Sequence, residues 1–99
     1  MKTLYLSGPM TGYPRLNRDA FDAAEDLLRD AGYAVVNPHT LHHHTEWHAA
    51  MREDIRAMLT CDGVATLAGW ERSRGAKIEV SLATRLAIPV QPVDLWLRE

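Results

Sequence analysis

The feature that most constrains the fold is a regular alternation of short strand patterns with helical patterns along the whole chain. Strand patterns rich in apolar residues fall at residues 3–7, 33–36, 63–68 and 89–93. Helical spacing of apolar residues fills the segments between them, at residues 17–31, 47–59 and 76–86. Because such alternation produces a parallel sheet with right-handed crossovers, the sequence predicts a three-layer α/β fold. We expect four or five strands with flanking helices, in a single domain over residues 1–99.

The ends of the chain's first helix carry recognisable signals. Asn17 is a predicted N-cap, and Gly32 is a predicted C-terminal stop. The last residues, with Leu95, Trp96 and Leu97, are ambiguous between a helix and a strand. We expect Trp96 to pack against a partner subunit.

Composition excludes several classes of protein. The formal net charge is -2 and the eleven Lys and Arg residues are scattered, so the chain lacks the basic field that binds duplex nucleic acid. No apolar stretch approaches a membrane span, and Met1 leads into the first strand without room for a signal peptide. The single cysteine, Cys61, is interpreted as a small buried residue. We therefore expect a cytoplasmic protein without membrane partners, and its small core favours a homodimer or a higher homo-oligomer.

A candidate binding loop follows the third strand pattern, from Gly69 to Glu79. Ligands of open α/β sheets lie outside the carboxyl ends of the strands, and Glu79 falls near the start of the next helix, facing that crevice. The alternative is an ordinary favourable charge near a helix N-terminus. Asp54 on the second helix either points along the same crevice or pairs with Arg56 or another surface cation. Two carboxylates in one crevice would provide a nucleophile and an acid or orienting group.

Other residues are predicted to complete this site. Tyr5 lies near the carboxyl end of the first strand, where its phenol either hydrogen-bonds a catalytic carboxylate or is simply half-buried. Trp70 could stack on a base or close the site. The predicted substrate-binding residues come from the two loops that follow the first and third strands: Ser7, Gly8, Pro9, Met10 and Thr11, and Arg72, Ser73, Arg74 and Gly75. For the two arginines, the alternative is simple solvation.

Five histidines between residues 39 and 48 invite a metal interpretation, namely His39, His42, His43, His44 and His48. Adjacent histidines in a loop rarely converge on one ion, and no cysteine or carboxylate spacing supports them. We therefore expect no metal site. Trp47, at the end of this segment, fits the apolar stripe of the second helix and is interpreted as a core residue.

Three features occur in order along the chain. The first strand carries an aromatic residue followed by a glycine-containing loop, in Leu-Tyr-Leu-Ser-Gly-Pro at residues 4–9. Asp54 precedes a second aspartate, Asp62, by eight residues. Ser73 precedes Glu79 by six residues, with a glycine between them. With these features the chain resembles the nucleoside 2-deoxyribosyltransferase superfamily, which includes the 2'-deoxynucleoside 5'-monophosphate N-glycosidases.

The resemblance is narrower at two motifs. Ser-Gly-Pro-Met-Thr-Gly at residues 7–12 and Gly-Trp-Glu-Arg-Ser-Arg-Gly-Ala at residues 69–76 look like those of small phage- or prophage-encoded members. The resemblance implies a flavodoxin-like or Rossmann-like fold, a nucleoside or nucleotide as substrate, no cofactor, and a homodimer.

The resemblance also implies a mechanism. Glu79 would attack C1' of the sugar and form a deoxyribosyl ester, which water or a second base would resolve. Tyr5 would orient Glu79, and Asp54 would assist the departing base or bind the sugar. Ser73 stands where the monophosphate hydrolases carry serine and the transferases tend to carry aspartate, which favours a nucleotide, because a neutral hydroxyl does not repel phosphate.

Two positions depart from that pattern. Pro9 and Thr11 replace a serine and an arginine that contact phosphate in the monophosphate hydrolases, so these contacts would come from Thr11, Ser73, Arg72 or Arg74. Two other functions therefore stay open on the same fold. One is a non-catalytic nucleotide-binding module, and the other is a phage accessory interaction protein.

Overall fold

Four parallel strands form the sheet in the computed structural model, which describes residues 1–41 and 45–99. They are β1 (Thr3–Ser7), β2 (Ala34–Val36), β3 (Gly63–Thr66) and β4 (Val90–Pro92). Their order across the sheet is β2-β1-β3-β4, and every neighbouring pair is parallel. This is the flavodoxin-like order, and the alternation predicted that the sheet is parallel with four or five strands.

The helices cover both faces of this sheet. They are α1 (Arg18–Asp30), α2 (Trp47–Met58), α3 (Arg74–Arg85) and α4 (Val93–Trp96), with short 3-10 turns at Pro14–Asn17, Pro38–Thr40 and Trp70–Arg72. The buried residues of α1 and α4 pack with Leu4 and Leu6, whereas those of α2 and α3 pack with Tyr5 and Val64. The predicted three-layer α/β fold is therefore confirmed.

Period-two alternation along β1 determines which side chains reach the site. Leu4 and Leu6 point into the core beneath α1, and Tyr5 points to the opposite face, where Met58 and Ala83 contact it. Successive side chains of a strand lie on opposite faces, so Ser7 shares the face of Tyr5. Both side chains are buried.

The sequence predicted the C-terminal end of α1 correctly but not its N-terminal cap. Gly32 has a φ of 99°, and the N–H of Tyr33 bonds the carbonyl of Leu28 at 3.0 Å, so the predicted glycine stop is confirmed. Asn17 occupies the N-cap position, but its φ of 63° is left-handed and its side chain makes no capping bond. Its Nδ2 donates instead to the carbonyl of Pro9 at 2.9 Å. The predicted capping role of Asn17 is wrong, because capping needs an extended backbone.

The expectation that Trp96 packs against a partner subunit is also wrong. Trp96 is only 2% exposed and belongs to the core on the α1 face. Its Nε1 donates to the carbonyl of Val64 at 2.9 Å, and its own carbonyl accepts a bond of 2.8 Å from the Tyr33 hydroxyl. A Cβ atom on Gly63 would lie 2.7 Å from the Trp96 ring, so the glycine gives the indole its space.

Two further observations complete the fold. None of the helices within residues 1–41 and 45–99 combines the length and hydropathy that a bilayer-spanning segment requires. Cys61 is buried as expected, its Sγ lies 3.4 Å from the carbonyl of Ala57, and burial raises the pKa of its thiol.

Candidate functional site

A cavity of about 560 Å³ opens at the carboxyl ends of β1 and β3. Because α1 packs on one face of the sheet and α2 and α3 on the other, this is the topological switch point where ligands of such sheets bind. The volume lies in the range of small-molecule sites. The predicted site residues that line it are Gly8, Pro9, Met10, Thr11, Asp54, Arg72, Ser73, Arg74, Gly75 and Glu79.

Glu79 lies at this cavity on the second turn of α3 and is only 5% exposed. Its Oε2 accepts a hydrogen bond of 2.7 Å from the Tyr5 hydroxyl, and its Oε1 accepts one of 2.7 Å from the Ser7 hydroxyl. Helix α3 begins at Arg74 rather than at the predicted Ala76, so Glu79 is two residues farther from the helix N-terminus than expected and lies beyond the first turn. An ordinary favourable charge in a first turn therefore does not explain this residue.

The surroundings of Glu79 change its acidity. The pKa of its carboxyl is raised to about 7, mainly because the group is buried and also because Asp54 lies nearby, while the hydrogen bonds from Ser7 and Tyr5 oppose this rise. Burial also raises the pKa of the Tyr5 phenol, as do the charges of Glu79 and Asp54. The carboxyl of Glu79 is therefore close to half ionised at neutral pH, with two neutral hydroxyls donating to it.

Asp54 lines the same cavity from α2 and is 7% exposed. One alternative partner considered for it, Arg56, bonds Glu53 at 2.8 Å. The structure thus brings two buried carboxyl groups, Asp54 and Glu79, to one cavity.

The start of α3 forms one wall. Ser73 is the N-cap, and its hydroxyl accepts a bond of 3.2 Å from the N–H of Ala76. A Cβ on Gly75 would lie 3.0 Å from the sulfur of Met51, so this glycine allows α3 to approach α2 closely. Arg72 and Arg74 line the cavity on either side of Ser73.

Three predicted site residues lie elsewhere. Tyr5 and Ser7 are 0% and 1% exposed, so they contact Glu79 from within the protein rather than line the cavity. Trp70 lines a second pocket, together with Pro92 and Val93 at the end of β4. The three-residue turn Trp70–Arg72 therefore separates the two pockets, with Trp70 on one side and Arg72 on the other.

Aromatic residues that the sequence did not assign to the site also line the cavity. Trp47 was interpreted as core, yet it is only partly buried, and the guanidinium of Arg74 lies 3.8 Å from the centre of its ring. Its position as the first residue of α2, at the carboxyl edge of the sheet, was the available signal. Tyr13 lines the opening, and Phe21 and Leu6 belong to the cavity and to the core beneath α1.

The histidine-rich segment contributes little to the described site. His39 packs edge-on against Phe21, with ring centres 4.8 Å apart, and His48 lies 2.9 Å from a carboxylate oxygen of Glu46. His42, His43 and His44 fall outside the described residues, so the expectation that they form no metal site stays a prediction. Among residues 1–41 and 45–99, no three His, Cys, Asp or Glu side chains are grouped as a metal site would require.

Comparison with known proteins gives one family. No curated protein matches the chain. The family described as a domain of unknown function, DUF4406, matches residues 2–91, a range that contains β1, the loop after it, Asp54 and the whole of α3. The matched range covers most of the chain and every residue assigned here to the cavity, and the chain therefore belongs to the DUF4406 family.

Proposed function

We propose that the protein cleaves or transfers the N-glycosidic bond of a deoxynucleoside, a nucleoside or a 5'-monophosphate of either. Glu79 forms a covalent glycosyl ester in this reaction, as the resemblance to the nucleoside 2-deoxyribosyltransferase superfamily implies. The observation that carries the proposal is the buried Glu79 carboxyl, which two hydroxyls hold at a cavity that Asp54 also lines.

The proposed reaction has two displacements at one carbon. An oxygen of the ionised Glu79 attacks C1' as the bond between C1' and the base nitrogen breaks, and the bonding electrons leave with the base. Asp54 either supplies the proton that the departing base takes up or holds a sugar hydroxyl. Water or a second base then attacks C1' and gives up a proton to the Asp54 carboxylate or to solvent, and the carboxylate of Glu79 is released.

The chemistry of the cavity walls supports a nucleotide. Tyr13, Trp47 and Met51 present apolar and aromatic surface suited to a base, and the guanidinium of Arg74 packs on the ring of Trp47. Arg72 and Arg74 place two cations at the same wall, in a chain whose net charge is -2. A phosphate group on the substrate would meet these cations at the start of α3.

The same proposal includes the biological setting that the resemblance implies. The protein would act in the cytoplasm on nucleotides, as a homodimer or larger homo-oligomer, and would belong to the small phage- or prophage-encoded members of the superfamily. It would need no cofactor, because the groups proposed to act on the substrate, Glu79 and Asp54, are carboxyl groups of the chain.

The test is release of free base from a panel of nucleosides, deoxynucleosides and their 5'-monophosphates, followed by chromatography. We expect the wild type to release base from at least one of them and Glu79→Ala to release none. Glu71→Ala is the matched control, since Glu71 is an exposed carboxylate of the turn before α3 and does not line the cavity. Equal release by the wild type and Glu79→Ala would exclude the proposal.

A second candidate is a nucleotide-binding module that does not cleave its ligand. The raised pKa of Glu79 favours it, because about half of the molecules carry a neutral carboxyl at pH 7, and that form donates a hydrogen bond rather than attacking. Calorimetric titration with the same panel distinguishes the two functions. Binding with the nucleotide recovered intact after long incubation would select the module.

A further inference from the structure

We propose that Ser7 is a positioning residue, whose hydroxyl holds one oxygen of Glu79 while Tyr5 holds the other, so that the carboxylate keeps a single orientation towards the cavity. This inference rests on the proposed function, in which Glu79 is the nucleophile. Ser7 was predicted to contact the substrate, and we now expect it to orient Glu79 instead.

The two hydrogen bonds are divided between the two oxygens. The Ser7 hydroxyl donates to Oε1 at 2.7 Å, and the Tyr5 hydroxyl donates to Oε2 at 2.7 Å. Rotation of the carboxylate about its terminal bond would break both bonds, and neither lost bond could be replaced by water where the donors are buried. The loss of either donor alone would leave the carboxylate held at one oxygen only.

The backbone of Ser7 is itself fixed. Its carbonyl accepts a hydrogen bond of 2.9 Å from the N–H of Leu67, just past the end of β3. A Cβ on Gly8 would lie 2.8 Å from the Cβ of Leu67, so this glycine permits the close approach of the two segments. Ser7 is therefore a hydroxyl on a fixed strand end rather than on a mobile loop, and its 1% exposure keeps it from a ligand.

A hydroxyl that donates to a carboxylate stabilises the charged form. The bond from Ser7 lowers the pKa of Glu79 against the effect of burial, as does the bond from Tyr5. The titratable groups that act on Glu79 from the elements packed around it, within the described part of the chain, are Tyr5 on β1 and Asp54 on α2. Removal of the Ser7 hydroxyl leaves both in place, so the effect on Glu79 belongs to the serine.

The test compares Ser7→Ala with Thr66→Val. Thr66 lies opposite Ser7 on β3, is similarly buried at 5% exposure, and donates no hydrogen bond to Glu79. The pKa of Glu79 is measured by carbon NMR of its side-chain carboxyl, with the signal assigned from Glu79→Gln. The pH profile of base release is measured on the same proteins.

We expect Ser7→Ala to raise the pKa of Glu79 by about one unit or more and to move the rising limb of the pH profile by the same amount. Thr66→Val should leave both unchanged, and Ser7→Thr, which keeps the hydroxyl, should restore most of the wild-type pKa. An unchanged pKa in Ser7→Ala would overturn the inference. If Ser7→Ala does not fold, Ser7→Cys replaces it, since a thiol of similar size is a weaker donor.

The two readouts separate this inference from the function on which it rests. Absence of base release from every protein, with the NMR shift present, would refute the glycosidase and leave the hydrogen-bonding role of Ser7 intact. Base release that depends on Glu79, with no NMR shift in Ser7→Ala, would refute only the role of Ser7.

Discussion

The hydroxyl of Tyr5 donates a 2.7 Å hydrogen bond to Glu79 across 74 positions of the sequence. The first strand and the third helix therefore meet at one buried pair, and the candidate nucleophile acquires its environment only when the sheet has formed. A carboxyl held in this way has an unusual acidity, which makes the site accessible to pH-dependent experiments.

The first prediction concerns the pH dependence of base release. Attack on C1' needs the ionised carboxylate, and the pKa of Glu79 is about 7, so we expect the wild-type rate to rise with a midpoint near pH 7. The measurement is kcat/KM for the best substrate of the panel between about pH 5 and 9. Glu71→Gln should keep the same profile. A rise centred near 4.5, the ordinary value for glutamate, would contradict the raised pKa of Glu79.

The second prediction concerns stability. The pKa of Glu79 is about 7 in the folded protein against an ordinary 4.5, so its contribution to stability is fully present below pH 4.5 and is lost as the pH rises through 7. One pKa unit corresponds to about 1.4 kcal/mol, so this loss is about 3 kcal/mol by pH 8. Glu79→Gln should not show it.

Urea unfolding at pH 5 and pH 8 measures this effect as the difference between the wild type and Glu79→Gln. Groups that do not interact with Glu79 contribute equally to both proteins and cancel in that difference. Glu71→Gln should follow the wild type. A difference between wild type and Glu79→Gln that stays constant across this pH range would contradict the raised pKa of Glu79.

The third prediction concerns the end of α3. Ala87 has a φ of 61°, and the N–H of Ile88 bonds the carbonyl of Ala83 at 2.9 Å, an arrangement in which glycine is favoured. A left-handed backbone costs a residue with a Cβ about 1 kcal/mol or more, so Ala87→Gly should raise the free energy of unfolding by up to about 1 kcal/mol. Ala23→Gly, in the exposed middle of α1, should lower it by about 1 kcal/mol. Thermal unfolding of the two variants should shift in opposite directions.

The fourth prediction concerns the packing of Trp96. A methyl group on Gly63 would meet the indole at 2.7 Å, so Gly63→Ala should cost about 1–3 kcal/mol and displace the ring. Displacement would also break the bond from Nε1 to Val64. Loss of near-ultraviolet circular dichroism should accompany the lower stability. A Gly63→Ala variant with the wild-type spectrum and stability would show that the space beside this glycine is larger than the contact distances indicate.

Sequence periodicity was sufficient for the fold, since the three layers and four strands follow from the alternation of patterns. It could not predict interactions that depend on distant residues. Asparagine is a residue type favoured at N-caps, but the side chain of Asn17 donates a hydrogen bond to the carbonyl of Pro9 instead. The sequence around Trp96 showed no clear periodicity. Its burial depends on the space beside Gly63, a residue of β3 that is distant in the sequence.

The candidate site was predicted in part for the same reason. Glu79, Asp54 and the two loops could be placed from the carboxyl edge of the sheet, and the structure brings them to one cavity. Whether Ser7 faces a ligand or Glu79 depends on the depth of the strand end below the cavity, and the sequence carries no signal for depth. Trp47 fits the apolar stripe of α2 and also lies at the edge of the sheet. Periodicity alone therefore predicted that it is a core residue, whereas it lines the cavity.

Leu6 and Phe21 belong at once to the cavity wall and to the hydrophobic core beneath α1. Any substitution that enlarges the cavity on this side also removes packing from α1, so its cost in stability limits how far ligand preference can change there. Trp47, Tyr13 and Leu16 are not constrained in this way, because they are partly or largely exposed at the opening. We therefore expect proteins with this scaffold to change their ligand preference by substitution at the cavity opening, while the deep wall stays unchanged. Redesign of the site should follow the same course.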